Sequence, residues 1–269
     1  MPLTGIDSLL RLTVGCALSS SLHMPGCALY VRRDLPHEFE LDDSFSGLQD
    51  RRGLFTVAGF GSLLSITSAR STFPNLINFR PGKVVGWRRV FAHTADIFFT
   101  RGIARPDTGE ISSLSLEPCP GSSVVVSLFQ LPYNADTVAA FIAREQEFKF
   151  VAVTPHSLQG EPQYELRAVV CARWNDEDYK ARRCPPEEWQ RRWAPHGITR
   201  VWREDVLPCR VYLRHCVLAS RSLGPEATES FLDDTVLADR VTSVRQWLHR
   251  HPSIMDEEPP ADLVGRYSG

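Results

Sequence analysis

Residues 54–73 read LFTVAGFGSLLSITSARSTF, an apolar run that stops at Gly59 and Gly61 and then continues into a helix-like segment. The run before Gly59 has the β-branched and aromatic composition of a buried strand. The glycines on either side of Phe60 leave the backbone N–H groups of this loop unshielded, so a carboxylate or a developing oxyanion can bind against them. A tight turn without a ligand is the alternative, and the loop alone favours that simpler interpretation.

The loop does not match the glycine motifs of other well-defined sites. GFGSLL lacks the third glycine of GxGxxG, and no acidic residue lies about 20 residues further on, as a dinucleotide-binding unit requires. No GK[ST] follows, and Ser62 is not in a GxSxG motif. The sequence therefore argues against a dinucleotide fold, a Walker-type phosphate loop and a serine nucleophile.

The composition is that of a soluble globular chain with balanced charge. Of the 269 residues, 43% are apolar and 23% are charged, and no run approaches the roughly 18 apolar residues of a membrane span. The formal net charge of −2 gives no field that would attract nucleic acid or anionic lipid. We therefore expect neither nucleic acid nor a membrane as a partner, and the oligomeric state stays open.

The seven cysteines are an odd number and include no CxxC pair, which is typical of reduced thiols in the cytoplasm or an organelle matrix. Small buried cysteines explain them better than a metal site, because no ligand spacing recurs. The zinc set weighed against that interpretation consists of Cys184, His196, Cys209, His215 and Cys216.

The chain divides into three parts by composition. Residues 1–50 form an N-terminal extension, and within it residues 1–33 have few acidic residues and are compatible with a transit peptide, a weak signal peptide or a disordered segment. A domain is predicted over 51–250, with a helical insert at about 174–209 in which prolines separate short helices. Arginine and tryptophan alternate in that insert, so RNA binding is its alternative interpretation. Residues 251–269 form a C-terminal tail.

Short strands with closely spaced turn signals dominate the first part of the domain. Together with the helices that follow, they predict the α+β class and a meandering, mostly antiparallel sheet. The predicted strands cover 55–59, 83–93, 96–104, 112–118, 124–132, 149–155 and 164–173.

A helical window covers 135–148, with Asn134 as the expected N-cap. At about 100° per residue, one face of this helix is apolar, and Glu145 falls near its centre, whereas Glu147 points to the opposite side. The apolar face consists of Val138, Phe141 and Ile142. We therefore expect Glu145 to face inward.

An inward carboxylate costs several kcal/mol unless it is paired, protonated or solvated in a pocket. Glu145 is therefore either half of an ion pair, with an arginine such as Arg101, or a functional group in a cavity. An ordinary solvated position on the helix surface is the third alternative.

Five short motifs, in their order and spacing, resemble the gamma-glutamylcyclotransferase superfamily and more closely its ChaC-type branch. The late segment 212–237 is also similar to the C-terminal helices of that branch. The resemblance covers about 55–173 and 210–250. The motifs are GFGSLL (59–64), GWRRVF (86–91), RGIARP (101–106), LEPCPG (116–121) and AREQEF (143–148).

This resemblance implies a small mixed, largely antiparallel β-barrel flanked by helices, with a helical C-terminal part. It implies an enzyme that cyclises a gamma-glutamyl amide, such as glutathione, to 5-oxoproline without a cofactor or a metal, with Glu145 as the catalytic base. The family usually has tyrosine at the position of Phe60, so a catalytically silent binding or assembly module is the alternative. The implied substrate-binding residues are Phe60, Gly61, Ser62, Leu63 and Arg101.

Overall fold

The computed structural model describes residues 38–269, which belong to one compact unit. The transit-peptide interpretation of residues 1–33 and two of the cysteines, Cys16 and Cys27, lie outside the described residues. The compact unit is wider at both ends than the predicted domain of 51–250, because Leu41, Phe45 and Tyr267 are all buried in its core.

Eight strands form a single sheet within the described part of the chain. Their order is β1-β5-β6-β2-β4-β3-β8, and β7 adds to β4. The strands are β1 (Phe39–Glu40), β2 (Leu54–Gly59), β3 (Ile77–Thr94), β4 (Glu110–Pro132), β5 (Lys149–Val153), β6 (Ala168–Ala172), β7 (Leu207–Pro208) and β8 (Thr235–Leu237).

Helices flank this sheet, and six of the nine in the described residues lie after residue 173. The helices are α1 (Ile66–Thr72), α2 (Asp96–Thr100), α3 (Ala135–Arg144), α4 (Asp176–Arg182), α5 (Pro186–Arg192), α6 (Arg210–Leu223), α7 (Pro225–Asp233), α8 (Val244–Arg250) and α9 (Val264–Tyr267). Among residues 38–269, no helix is long and apolar enough to cross a membrane.

The α+β class predicted from the sequence is confirmed, whereas the predicted barrel is wrong because the sheet is open. The long β3–β4 pair, the β2–β4 pair and the β5–β6 pair are antiparallel, and β2–β6 and β3–β8 are parallel. Closure of a barrel needs the edge strands to pair. The two ends of the strand order, β1 and β8, have only two and three residues, and no ladder joins them in the described region.

One predicted strand is a helix in the structure. Residues 96–104 were expected to be extended, but Asp96–Thr100 form α2, and Gly102 follows in the left-handed region with φ +66°. The apolar residues Ile97, Phe98 and Phe99 explain the difference, since a short apolar run does not distinguish a strand from a buried helical turn.

Helix α3 begins where the sequence predicts and ends four residues earlier. The Asn134 side chain accepts a hydrogen bond from the Thr137 N–H, which confirms the N-cap, but the last helical residue is Arg144. Phe141 anchors the helix in the core against the rings of Phe45 and Phe55. The end of α3 consequently lies beside the loop that follows β2.

The insert folds into short helices, as its prolines predict. Pro186 begins α5, and a 3-10 turn at Ala194–His196 follows it. Tyr179 and Trp193 are buried, so the insert is part of the hydrophobic core and does not project into solvent.

Candidate functional site

The loop after β2 is held close to its neighbours at both glycines. A Cβ on Gly59 would lie 2.5 Å from Leu63 Cβ and 2.7 Å from Ser127 Oγ, and a Cβ on Gly61 would lie 2.5 Å from Tyr212 Oη. Real Cβ atoms essentially never approach other atoms this closely. Packing therefore favours glycine at both positions, in addition to the access for a ligand that the sequence suggested.

The backbone donors of this loop are partly used within the protein. The Ser62 N–H donates to Tyr212 Oη at 3.3 Å, whereas the N–H groups of Gly61 and Leu63 donate to no acceptor within residues 38–269. The first N–H groups of a helical turn have no partner inside that turn. Two of the predicted donors therefore keep the capacity to bind an anion.

Arg144 connects the loop, α1 and the end of α3. Its guanidinium donates to Glu145 Oε1 at 2.9 Å, to Thr72 Oγ1 at 2.6 Å and to Ser62 Oγ at 3.2 Å. Glu145, the residue after α3, keeps 16% of its side chain exposed, whereas Arg144 keeps 6%. Arg144 therefore fixes the position of Glu145 relative to the loop, a role that the sequence did not indicate.

A cavity of about 90 Å³ lies between these elements. The loop Gly59–Leu63 forms one side, and Glu145 and Glu147 contribute the carboxyl groups. Tyr212 from α6 lies beneath Gly61, and Arg266 and Tyr267 from the C-terminal segment complete the wall. The structure therefore brings the predicted loop and the predicted glutamate to the same small space.

Aromatic rings form the apolar part of this wall. Phe60 packs edge-on against Phe148 with the ring centroids 6.3 Å apart, and the His93 ring lies 4.9 Å from both Phe148 and Trp202. Neither ring nitrogen of His93 has a hydrogen-bond partner in the described part of the molecule. Burial lowers the pKa of His93 to about 3, so this imidazole is neutral.

Glu147 does not lie where the helical periodicity placed it. The sequence predicted that it points outward, but α3 ends at Arg144, so the 100° rule no longer applies, and only 8% of Glu147 is exposed. Its carboxyl contacts the Arg192 guanidinium from the insert. Burial raises the pKa of Glu147 to about 7; Arg192 opposes this increase, and the carboxylates of Asp96 and Glu145 add to it.

Arg101 does not line the cavity. Its guanidinium donates to Tyr267 Oη at 3.0 Å and lies 5.7 Å from the centre of that ring, so it contacts the cavity wall from behind. Arg266 does line the cavity and forms no ion pair with a carboxylate of residues 38–269. Burial lowers the pKa of Arg266, and the charges of Arg144 and Arg101 lower it further.

The zinc alternative finds no support in the side-chain positions. No group of three or more His, Cys, Asp or Glu residues in the described region is arranged to hold a metal ion. The described cysteines, which include Cys184, Cys209 and Cys216, are free thiols.

Several residues that line the cavity, and Arg192, which contacts Glu147 from outside it, were not singled out by the sequence. Tyr212 and Arg266 come from segments far along the chain, and Arg144 was quoted only as part of AREQEF. Arg192 lies in the insert, for which no related motif exists. A buried arginine at the end of α5 carries no local signal, because the sequence pattern does not distinguish it from the exposed Arg191.

Comparisons with known proteins identify structural neighbours but no family. No family model and no curated protein matches the chain. The chain is similar to a solved gamma-glutamyl cyclotransferase with 12% identity and a TM-score of 0.35, over 54% of this chain and 83% of that one. An uncharacterized protein from Homo sapiens is 13% identical with a TM-score of 0.35, and the match covers 53% of this chain and 82% of that one. YkqA from Bacillus subtilis gives 12% and 0.30, over 56% of each chain.

Proposed function

We propose that the protein cyclises a gamma-glutamyl amide, of which glutathione is one example, releasing 5-oxoproline and the attached amine or peptide. The observation that carries this proposal is the single cavity lined by both the Gly59–Leu63 loop and Glu145. A carboxyl group and unpaired backbone donors are the two groups that this reaction needs. No cofactor takes part in it.

The reaction needs no protein nucleophile, because the substrate's own alpha-amine attacks its gamma-carbonyl. A site that holds the glutamyl chain folded gains the effective molarity of a tethered reactant, which contributes up to roughly 7–11 kcal/mol to lowering the barrier. Phe60 and Phe148 form an apolar wall of this cavity.

Glu145 is the general base in this proposal. It removes a proton from the alpha-ammonium group, and Arg144 holds its carboxylate beside the loop. The N–H groups of Gly61 and Leu63 are the candidate donors to the oxyanion that develops on the gamma-carbonyl. Ser62 serves the loop geometry through its contacts with Tyr212 and Arg144.

The substrate carboxylate has two candidate arginines. Arg266 lines the cavity without a carboxylate partner in the described part of the chain, which suits a bidentate contact with an anion. Arg101, the arginine that the sequence suggested, contacts the cavity through Tyr267. It therefore acts on substrate by positioning Tyr267 rather than by direct contact.

A catalytically silent binding module is the second candidate function. The observation that favours it is the cavity volume of about 90 Å³, which is well below the roughly 300–1,000 Å³ of most small-molecule sites. Arg266 and Tyr267 close the cavity from the C-terminal side. In this alternative the segment stays in place and the site does not turn over.

Direct assay separates the two candidates. Purified protein is incubated with glutathione and a panel of other gamma-glutamyl amides, and 5-oxoproline is measured. We expect product from at least one amide, and a loss of kcat of roughly 10²–10⁴-fold in Glu145→Gln, because a general base is removed. Glu187→Gln, which removes an exposed charge on α5, is the matched control and should retain full activity. A folded wild-type protein that forms no 5-oxoproline from any amide contradicts the enzyme proposal.

A further inference from the structure

A second carboxyl group lines the cavity and is held from behind by the insert. The Arg192 guanidinium contacts Glu147 and binds both carboxylate oxygens of Asp96, with Nε–Oδ2 at 2.7 Å and Nη2–Oδ1 at 2.9 Å. Its remaining nitrogen donates to Tyr179 Oη at 3.0 Å. Asp96 and Arg192 do not line the cavity, whereas Glu147 does. The carboxyl of Glu147 is therefore presented to the cavity by a support outside it.

The charges around Glu147 do not balance. One guanidinium faces two carboxyl groups, those of Glu147 and Asp96. Glu188 approaches Arg192 only to 3.9 Å and is 26% exposed, so water screens its charge. Only 2% of the Arg192 side chain is exposed, so water screens this cluster little. The charged and titratable groups that face Glu147 are Asp96 from α2, Cys171 from β6, Tyr179 from α4, Arg192 from α5 and Glu145 from its own turn.

Such a cluster favours holding one proton near neutral pH. A buried carboxylate and a half-buried one cannot both ionise freely beside a single positive charge. Asp96 has the better contact, because the hydrogen bonds from Arg192 hold its pKa below the usual value despite burial. Below about pH 7 that proton resides on Glu147, whose pKa is raised to about 7, and at higher pH Glu147 is ionised and able to accept one.

The proposed cyclisation has a use for this proton-binding group. The alpha-ammonium group of the substrate loses two protons: one before its nitrogen attacks the gamma-carbonyl, and one after the new C–N bond has formed. The leaving nitrogen gains two protons as the old C–N bond breaks and the amine departs as an ammonium ion. A single carboxylate holds one proton at a time, so a second group in the cavity lets both transfers proceed without exchange with bulk water.

We propose that Glu147 is a second acid–base residue of this cavity, whose ionised form takes up the first proton while Glu145 transfers the other, and that Arg192 and Asp96 position it. This inference rests on the proposed cyclisation. It also assigns a role to the insert at 174–209, since Arg192 at the end of α5 supplies the support.

The test compares the dependence of kcat and KM on pH in the wild type and in Glu147→Gln, using the best amide of the panel. We expect kcat to fall roughly 100-fold, at the lower end of general acid–base effects, with KM changed less than about twofold. The limb of the wild-type pH profile near neutrality should disappear. Glu188→Gln removes a carboxylate that also faces Arg192 but lies outside the cavity, and it should retain both the rate and the profile.

A titration of the intact wild-type protein gives a readout independent of turnover and of the folding of any variant. Carboxyl signals of glutamate labelled with ¹³C are followed by NMR against pH, and one of them should titrate near neutrality. Arg192→Lys, which keeps a positive charge but loses the fork of donors, should move that midpoint and lower kcat.

The outcomes distinguish the inference from the function on which it rests. An active wild type whose Glu147→Gln variant keeps its rate and profile overturns the role of Glu147 and leaves the cyclisation standing. A wild type with no glutamate that titrates near neutrality overturns the same role. A folded wild type that is inactive on every amide overturns the cyclisation, and the role of Glu147 with it, before any variant is compared.

Discussion

Glu117 on β4 and Glu147 in the turn after α3 are both buried carboxyl groups that contact arginine, but the ratio of charges around them is reversed. One guanidinium, that of Arg192, serves both Glu147 and Asp96. Three guanidinium groups surround the single carboxylate of Glu117, and they belong to Arg88, Arg173 and Arg240.

The two carboxyl groups consequently differ in how they bind a proton. Burial alone would raise the pKa of Glu117, but hydrogen bonds from Arg240 and Arg88 outweigh it and hold the pKa below the usual value. At Glu147, burial dominates and the single arginine does not offset it, so the pKa is raised to about 7. A surplus of arginine makes Glu117 a permanent anion that joins strands, whereas a shortage makes Glu147 a group that exchanges protons at physiological pH.

The largest difference should appear when one arginine is removed from each cluster. Arg192→Met leaves the buried Glu147 and the half-buried Asp96 without this counter-charge, and we expect a loss of about 3–5 kcal/mol in the free energy of unfolding. Arg173→Met leaves two arginines on Glu117, and its side chain is 21% exposed, so the loss should stay near about 1 kcal/mol. Urea unfolding of both variants at about pH 7.5, where Glu147 is largely ionised, measures the contrast. Equal losses would contradict it.

The second largest difference between the Glu147 and Glu117 clusters should appear in how the free energy of unfolding depends on pH. The folded state binds a proton at Glu147 more tightly than the unfolded state, so the contribution of this group to stability is present below its unfolded pKa of 4.5 and declines as the pH rises to about 7. By about 1.4 kcal/mol per pKa unit, the rise from 4.5 to about 7 makes this decline about 3.5 kcal/mol at most. Melting temperatures of Glu147→Gln should therefore lack this decline.

Glu117→Gln provides the opposite sign in the same experiment. Because the folded pKa of Glu117 is lowered, its contribution is present above the unfolded value of 4.5 and is lost as the pH falls through the folded pKa. The difference in melting temperature between Glu117→Gln and the wild type should therefore depend on pH only in the acid range below 4.5. A change of the same sign in both variants would remove the distinction between the clusters.

Much of this site could be predicted from the sequence where the local rules hold. The loop at 59–63 follows an apolar strand and carries two glycines, and helical periodicity is valid as far as Arg144, so the next residue, Glu145, still falls on the cavity side. The same reasoning gave the α+β class and the N-cap at Asn134. These features depend on residues that are close in sequence.

The cluster around Glu147 could not be predicted in this way. Periodicity was extended to 147, three residues beyond the last helical residue, and it assigned Glu147 to the solvent side. Arg192 is 45 residues away in sequence, and its pairing with Glu147 depends on how the insert packs. The sequence did not predict that the sheet is open for a similar reason. The length of the strands at the sheet edges is set by the tertiary structure, not by the alternation of apolar and polar residues along the chain.

The smallest effect should come from restoring a balanced ratio of charges at Glu147. Asp96→Asn leaves one carboxyl group with one guanidinium, so the pKa of Glu147 should fall, by about one unit. The shift is modest because burial, the main cause of the raised pKa, is unchanged, and the repulsion from Asp96 is a lesser contribution. The ¹³C titration midpoint of Glu147 measures it, with Glu188→Gln as the control that should not move it. A midpoint that stays near 7 in Asp96→Asn would mean that burial alone sets the proton affinity of Glu147. The pKa difference between Glu147 and Glu117 would then come from how deeply each carboxyl group is buried rather than from the number of arginines beside it.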